Sequence, residues 1–178
     1  RILYDLLYEC GWSGTLMDTD GPLHNLFNPS KVTTKVEETL SGDIKKDVYI
    51  KNTGDTDAWI RAAVVVTWQN EDGNVYGQAP VEGTNYEITW GTGWATGDDG
   101  FYYWTSPVKA ETGVTGDLIE TISPKGKPPA DDYYLTVEII GSGIQNKPAN
   151  VFNTEWVSSG LEVNDSNDDP MQWKLVSK

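Results

Sequence analysis

The sequence predicts an all-β protein, a jelly-roll-like sandwich of about eight strands with an N-terminal extension. Three observations carry this. Segments rich in β-branched and aromatic residues recur at short intervals. Turn formers separate them, with 18 Gly and 9 Pro spread over 178 residues. No long segment has a clean helical period of apolar residues with caps at its ends.

Taken in order, Arg1-Ile-Leu-Tyr-Asp-Leu-Leu-Tyr-Glu9 opens the chain. As a strand it places Ile2, Tyr4, Leu6 and Tyr8 on one face; as a helix it places Ile2, Leu3, Leu6, Leu7 and Cys10 in one stripe. Periodicity alone fits both. Gly11-Trp-Ser-Gly14 then separates this apolar arm from the rest of the chain. The division is an arm over 1–14, with Gly11 and Gly14 as its joint, and one domain over 15–178.

Lys31–Leu40 and Ile44–Ile50 read as two strands joined by Ser41-Gly-Asp43, the second ended by Asn52-Thr-Gly-Asp55. Ala58–Trp68 is almost continuously apolar and reads as a central strand, followed by the turn Asn70–Asn74 and a hairpin. Further strands are predicted at Tyr86–Trp90, Gly100–Thr105, Leu118–Ile122, Tyr133–Ile140 and Met171–Val176, and a short helix or strand at Asn150–Val157. In Tyr133–Ile140 the wholly apolar set Tyr133, Leu135, Val137 and Ile139 is expected to face the core.

The formal charge of −14 argues against nucleic acid and anionic lipid as partners, since both call for a cationic face. The 38% hydrophobic and 11% aromatic content is enough to build a core and argues against disorder. A single cysteine, Cys10, rules out an intrachain disulfide and is read as an unpaired thiol. No stretch approaches the ~20 apolar residues of a membrane span. The chain begins with Arg1 rather than Met, as expected after removal of a signal peptide or trimming of the ends.

Five segments, in order, resemble the TasA/camelysin-like group of exported bacterial proteins. They are Asp18-Thr-Asp20 with Asn25-Leu-Phe-Asn-Pro29; Val48-Tyr-Ile-Lys-Asn-Thr-Gly54 with Ala58-Trp-Ile-Arg61; Asp99-Gly-Phe-Tyr-Tyr-Trp104; Leu135-Thr-Val-Glu-Ile-Ile-Gly-Ser-Gly-Ile-Gln145; and Val151 to Trp156. The resemblance spans roughly 15–157. It departs from the group in the apolar arm, in Gly141-Ser-Gly where the group has Glu-Ala, and in the acidic tail after 160. It implies a secreted, extracellular or cell-surface jelly-roll subunit of a fibre or biofilm matrix. In that group the N-terminal segment of one subunit completes the sheet of the next. Carried onto this chain, Ile2, Leu3, Tyr4, Leu6, Leu7 and Tyr8 become the donor strand. The partner is then the chain itself, head to tail, with other matrix components possible.

The group's metallopeptidase label is one rival reading. A zinc peptidase usually has two histidines at helical spacing, and this chain has only His24, in a Gly- and Pro-containing loop. The expectation is therefore a protein that is not an enzyme and has no cofactor. Calcium is the one ion considered. Asp18 and Asp20, Asp98 and Asp99, and Asp165, Asp168 and Asp169 are oxygen donors in loops, without EF-hand spacing. A second rival is a carbohydrate-binding adhesin with Trp90, Trp94, Tyr102, Tyr103 and Trp104 as a sugar platform. The plainer reading of those rings is core and cross-strand pairs.

Overall fold

The structure, a computed structural model, describes residues 2–3, 10–13, 31–41 and 44–178. Within them the chain is nearly all β. In order, the elements are β1 (Ile2–Leu3), β2 (Cys10–Ser13), β3 (Lys31–Ser41), β4 (Ile44–Asn52), β5 (Ala58–Gln69), β6 (Tyr86–Trp90), β7 (Trp94–Thr96), β8 (Tyr102–Trp104), β9 (Ile119–Pro124), β10 (Tyr134–Gln145), α1 (Asn150–Glu155), β11 (Leu161–Asn164) and β12 (Lys174–Ser177).

Ten strands form two five-stranded sheets, ordered β1-β10-β5-β8-β7 and β2-β3-β4-β9-β6, and β11 pairs with β12 in a hairpin. All pairings are antiparallel except β1 with β10. The all-β sandwich expected from alternation is present. The strands beyond the roughly eight expected from turn spacing include β7 and β11. At three and four residues these are too short to carry an alternation signal. The predicted hairpin after Asn70 is reduced to its turn and one bridge, Gln69 to Val75, closed by Gly73 at φ 81°.

The two sheets pack face to face over Val36, Val48, Ile50, Ile60, Ala62, Leu118, Ile119, Ile122, Leu135, Val137 and Ile139, all buried. The apolar set predicted for β10 faces this core, with Tyr133 half-buried at its margin. The sheets come close enough that a Cβ on Gly141 would lie 3.2 Å from both Ile50 Cδ1 and Thr34 Oγ1. Lys45 is fully buried, and its ammonium donates across the sandwich to the Val137 carbonyl at 3.4 Å. Its aliphatic stem thus joins the core while its charged end finds an oxygen.

A second core covers the other face of the β1-β10-β5-β8-β7 sheet at one end. There Trp59, Tyr103 and Ile144 meet Val151, Phe152 and Trp156, and Leu161, Val163 and Leu175 of the hairpin. No helix among the described residues is long and apolar enough to cross a membrane.

Candidate functional site

The predicted donor arm falls partly within the described residues. Ile2 and Leu3 form β1, running parallel to β10 with Ile2 opposite Leu135 and Leu3 opposite Thr136. Tyr4, Leu6, Leu7 and Tyr8 lie outside the described residues, as do Gly14, Asp18, Asp20 and His24. Gly11 sits within β2 opposite Thr33, and Cys10 lies opposite Thr34. The two ends of the arm therefore belong to different sheets, β1 to one and β2 to the other.

The sheet that receives β1 is complete on one side of its central strand and interrupted on the other. β10 pairs with β5 along the whole of Ala58–Gln69. On the opposite flank of β5, β8 pairs only with Arg61 and Ala62. Val108 bridges Ala58, and Val75 bridges Gln69 with Tyr76 donating to the Trp68 carbonyl at 2.9 Å. Between these contacts, Ala63 to Thr67 have no strand alongside among the described residues. Backbone groups on such a flank are available for pairing.

The side chains near that flank are only half covered. Val64 and Val66 point to the core and remain partly exposed, while Val65, on the outer face, is 39% exposed. Tyr86, Ile88 and Trp90 of β6 and Tyr102 of β8 also pack against the main core and are half-buried. Burial raises the hydroxyl pKa of Tyr86 and Tyr102 above the usual 10.0, and the nearby Glu82 carboxylate adds to both. A cavity of about 270 Å³ is lined by Trp90, Gly91, Trp94, Thr96, Tyr102 and Leu118.

The rings considered as a sugar platform divide between two faces. Trp90 stacks on Tyr102 at 4.8 Å, and Trp94 meets Trp104 edge-on at 5.5 Å, its indole N–H donating to the Asp117 carbonyl at 3.1 Å. Tyr103 lies in the second core, edge-on to Phe152 and Trp156. Ring–ring contact, as in a core, is the dominant arrangement.

Tyr103 also belongs to a polar cluster built from three of the segments that carried the family resemblance. The Arg61 guanidinium lies 3.9 Å from the Phe101 ring and 4.5 Å from the Trp156 ring. Its Nη1 donates to the Tyr103 hydroxyl at 3.2 Å, and that hydroxyl donates to Asp99 in a short hydrogen bond. Asp99 also accepts from the Phe101 N–H at 3.1 Å and the Ser158 hydroxyl at 3.2 Å. Burial, reinforced by the bond to Asp99 and opposed by Arg61, pushes the Tyr103 hydroxyl up to about 12. The cation between two rings and the shared carboxylate fasten the C-terminal segment to the sheet.

Asp99, considered for calcium, is thus engaged with protein donors. Asp169 accepts from the Met171 N–H and starts the turn of 3-10 helix at Pro170–Gln172. Asp98, Asp165 and Asp168 are exposed. Among the described residues no three His, Cys, Asp or Glu side chains come together as a metal-binding group.

The sequence reading singled out the arm as a candidate, of which residues 4–9 lie outside the described residues, and did not anticipate the unpaired stretch of β5, because a neighbour absent among the described residues has no residue signature. Compared with family models, curated proteins and solved structures, the chain matches none.

Proposed function

We propose that the protein is the structural subunit of an extracellular fibre or matrix, assembling head to tail by donating its N-terminal strand to the sheet of the next copy. The observation that carries this reading is the use of Ile2 and Leu3 as a strand on the edge of a sheet whose central strand has, among the described residues, an unpaired stretch on one flank. An added strand gains main-chain hydrogen bonds along its length and buries every second side chain. Ile2, Tyr4, Leu6 and Tyr8 supply four large apolar groups on one face, each worth about 1.5–3 kcal/mol on full burial. Ordering the arm costs part of that. Because donor and acceptor are different surfaces, the contact repeats without closing and produces a filament.

Negative-stain electron microscopy of the intact chain and of a chain lacking residues 1–10 tests the reading. Filaments are expected from the first and soluble monomers from the second. Filaments of unchanged width from the shortened chain would refute it.

A further inference from the structure

Three of the five rings first considered together line one cavity. Trp90 of β6, Trp94 of β7 and Tyr102 of β8 enclose about 270 Å³ with Gly91, Thr96 and Leu118. That is just under the roughly 300–1,000 Å³ of small-molecule sites, and suits a single ring. β6 and β7 are edge strands of the two sheets, so the cavity lies where the edges of the sandwich meet. Tyr103 belongs to the second core and takes no part.

The frame around the cavity is fixed by hydrogen bonds. The Gly91 N–H donates to the Leu118 carbonyl at 2.9 Å. The Trp94 indole N–H donates to the Gly116 and Asp117 carbonyls at 3.3 and 3.1 Å. A side chain on Gly91 would collide with the Asp117 carbonyl, and one on Gly116 would lie 2.8 Å from the Trp104 ring. Glycine is what lets these segments approach. Rings held in this way lose little freedom when a ligand arrives.

What the rings leave unused indicates the ligand. Trp90 and Tyr102 stack at 4.8 Å with 30° between their planes, so each covers one face of the other. Two stacked rings do not both turn a face to one cation, which argues against an ammonium cage. They form instead a flat apolar surface, half-buried and held against the main core. Among the described residues the Trp90 indole N–H and the Tyr102 and Thr96 hydroxyls have no hydrogen-bond partner. The Glu82 carboxylate is near enough to act on the Tyr102 hydroxyl. One N–H donor, two hydroxyls and a carboxylate acceptor suit a ligand rich in hydroxyl groups.

We propose that this cavity binds one pyranose ring of a neutral, β-linked glycan, with the Trp90–Tyr102 pair as the stacking surface and Trp94 as a side wall. Equatorial substitution leaves such a ring with a face of C–H bonds, which packs on an aromatic plane while the hydroxyls at its rim reach polar groups. None of the cavity's residues belongs to the N-terminal arm, so the site does not depend on the fibre reading.

Indole N–H signals in heteronuclear NMR of the full chain test this. The chain has eight Trp and so eight such signals. Those of Trp90 and Trp94 are assigned by their absence from Trp90→Phe and Trp94→Phe. The probes are cellotriose and N-acetylchitotriose, with tetramethylammonium chloride as the cationic control. At least one sugar should shift Trp90 and Trp94 and leave Trp59 and Trp156, in the second core, unmoved. Trp90→Phe keeps an aromatic ring and removes one donor, so affinity read from Trp94 should fall roughly two- to tenfold. Thr96→Val, at an exposed position, should weaken binding by a similar factor with the other indole signals in place. No shift from either sugar up to its solubility limit would overturn the site. So would shifts confined to Trp residues outside the cavity, unchanged affinity in both variants, or a larger response to tetramethylammonium than to the sugars.

Discussion

The two faces of the β1-β10-β5-β8-β7 sheet are finished to different degrees. Beneath α1 and the β11–β12 hairpin, Trp59, Tyr103, Phe152 and Trp156 interlock edge to face and are at most 4% exposed. On the opposite face, Val64 and Val66 in the middle of β5 are also apolar and only half-buried. The first region is closed by the chain's own C-terminal residues, fastened by Arg61 between Phe101 and Trp156. Along the second, Ala63 to Thr67 of β5 have no neighbouring strand on one side among the described residues. The contrast separates what holds the subunit together from what the proposed assembly uses. Mutations in the sealed region should act on stability, and mutations in the open region on polymerisation.

The largest effect should come from the sealed side. Phe152 is fully buried and touches Trp59, Tyr103 and Trp156. Phe152→Ala should cost about 3–5 kcal/mol of unfolding free energy in urea denaturation. Below its lowered transition the variant should still assemble. Loss of assembly at temperatures where it remains folded would erase the distinction between the two regions.

A second test of the sealed side is alkaline titration. The Tyr103 hydroxyl is held at about 12 in the folded chain, against 10.0 ordinarily. A raised folded-state value stabilises the neutral form. Its contribution is therefore present in full below pH 10 and lost as the pH climbs toward 12. Melting temperature should fall across that window, and Tyr103→Phe should flatten the fall. An equal decline in both proteins would assign the sensitivity elsewhere.

The smallest effect on stability should come from the open side. Val66→Thr keeps the shape and adds a hydroxyl at a half-exposed position. It should lower unfolding free energy by less than about 1 kcal/mol. Filament growth, followed by light scattering, should nevertheless slow clearly, because the hydroxyl would be buried under the incoming arm without an assured partner. Unchanged growth would separate β5 from the assembly surface.

Much of the framework was legible in the residues. Val48 and Ile50, Ile60 and Ala62, and Leu135, Val137 and Ile139 alternate, and their apolar faces became the main core. The change of buried face at the end of β5 and β10 was not legible. Trp59 and Ile144 point away from the main core and are buried only because α1 and the hairpin arrive from distant sequence. The last strand, expected at Met171–Val176, starts instead at Lys174, since Pro170 opens a turn of 3-10 helix first. Asp99 read as a loop carboxylate, and its bonds to Tyr103 and Ser158 required the fold. For the candidate site, the apolar alternation of the arm was visible, while the unpaired stretch of β5 is defined by where β8 stops pairing with it.

The central claim is that a strand from one copy completes the sheet of another, and competition by a free strand tests it most directly. A synthetic peptide of residues 1–10 added to growing filaments of the intact chain should occupy the acceptor sites at filament ends. Growth measured by light scattering should then fall in proportion to peptide concentration, with a scrambled peptide of the same composition inert. Growth that continues at the same rate under saturating peptide would contradict the claim.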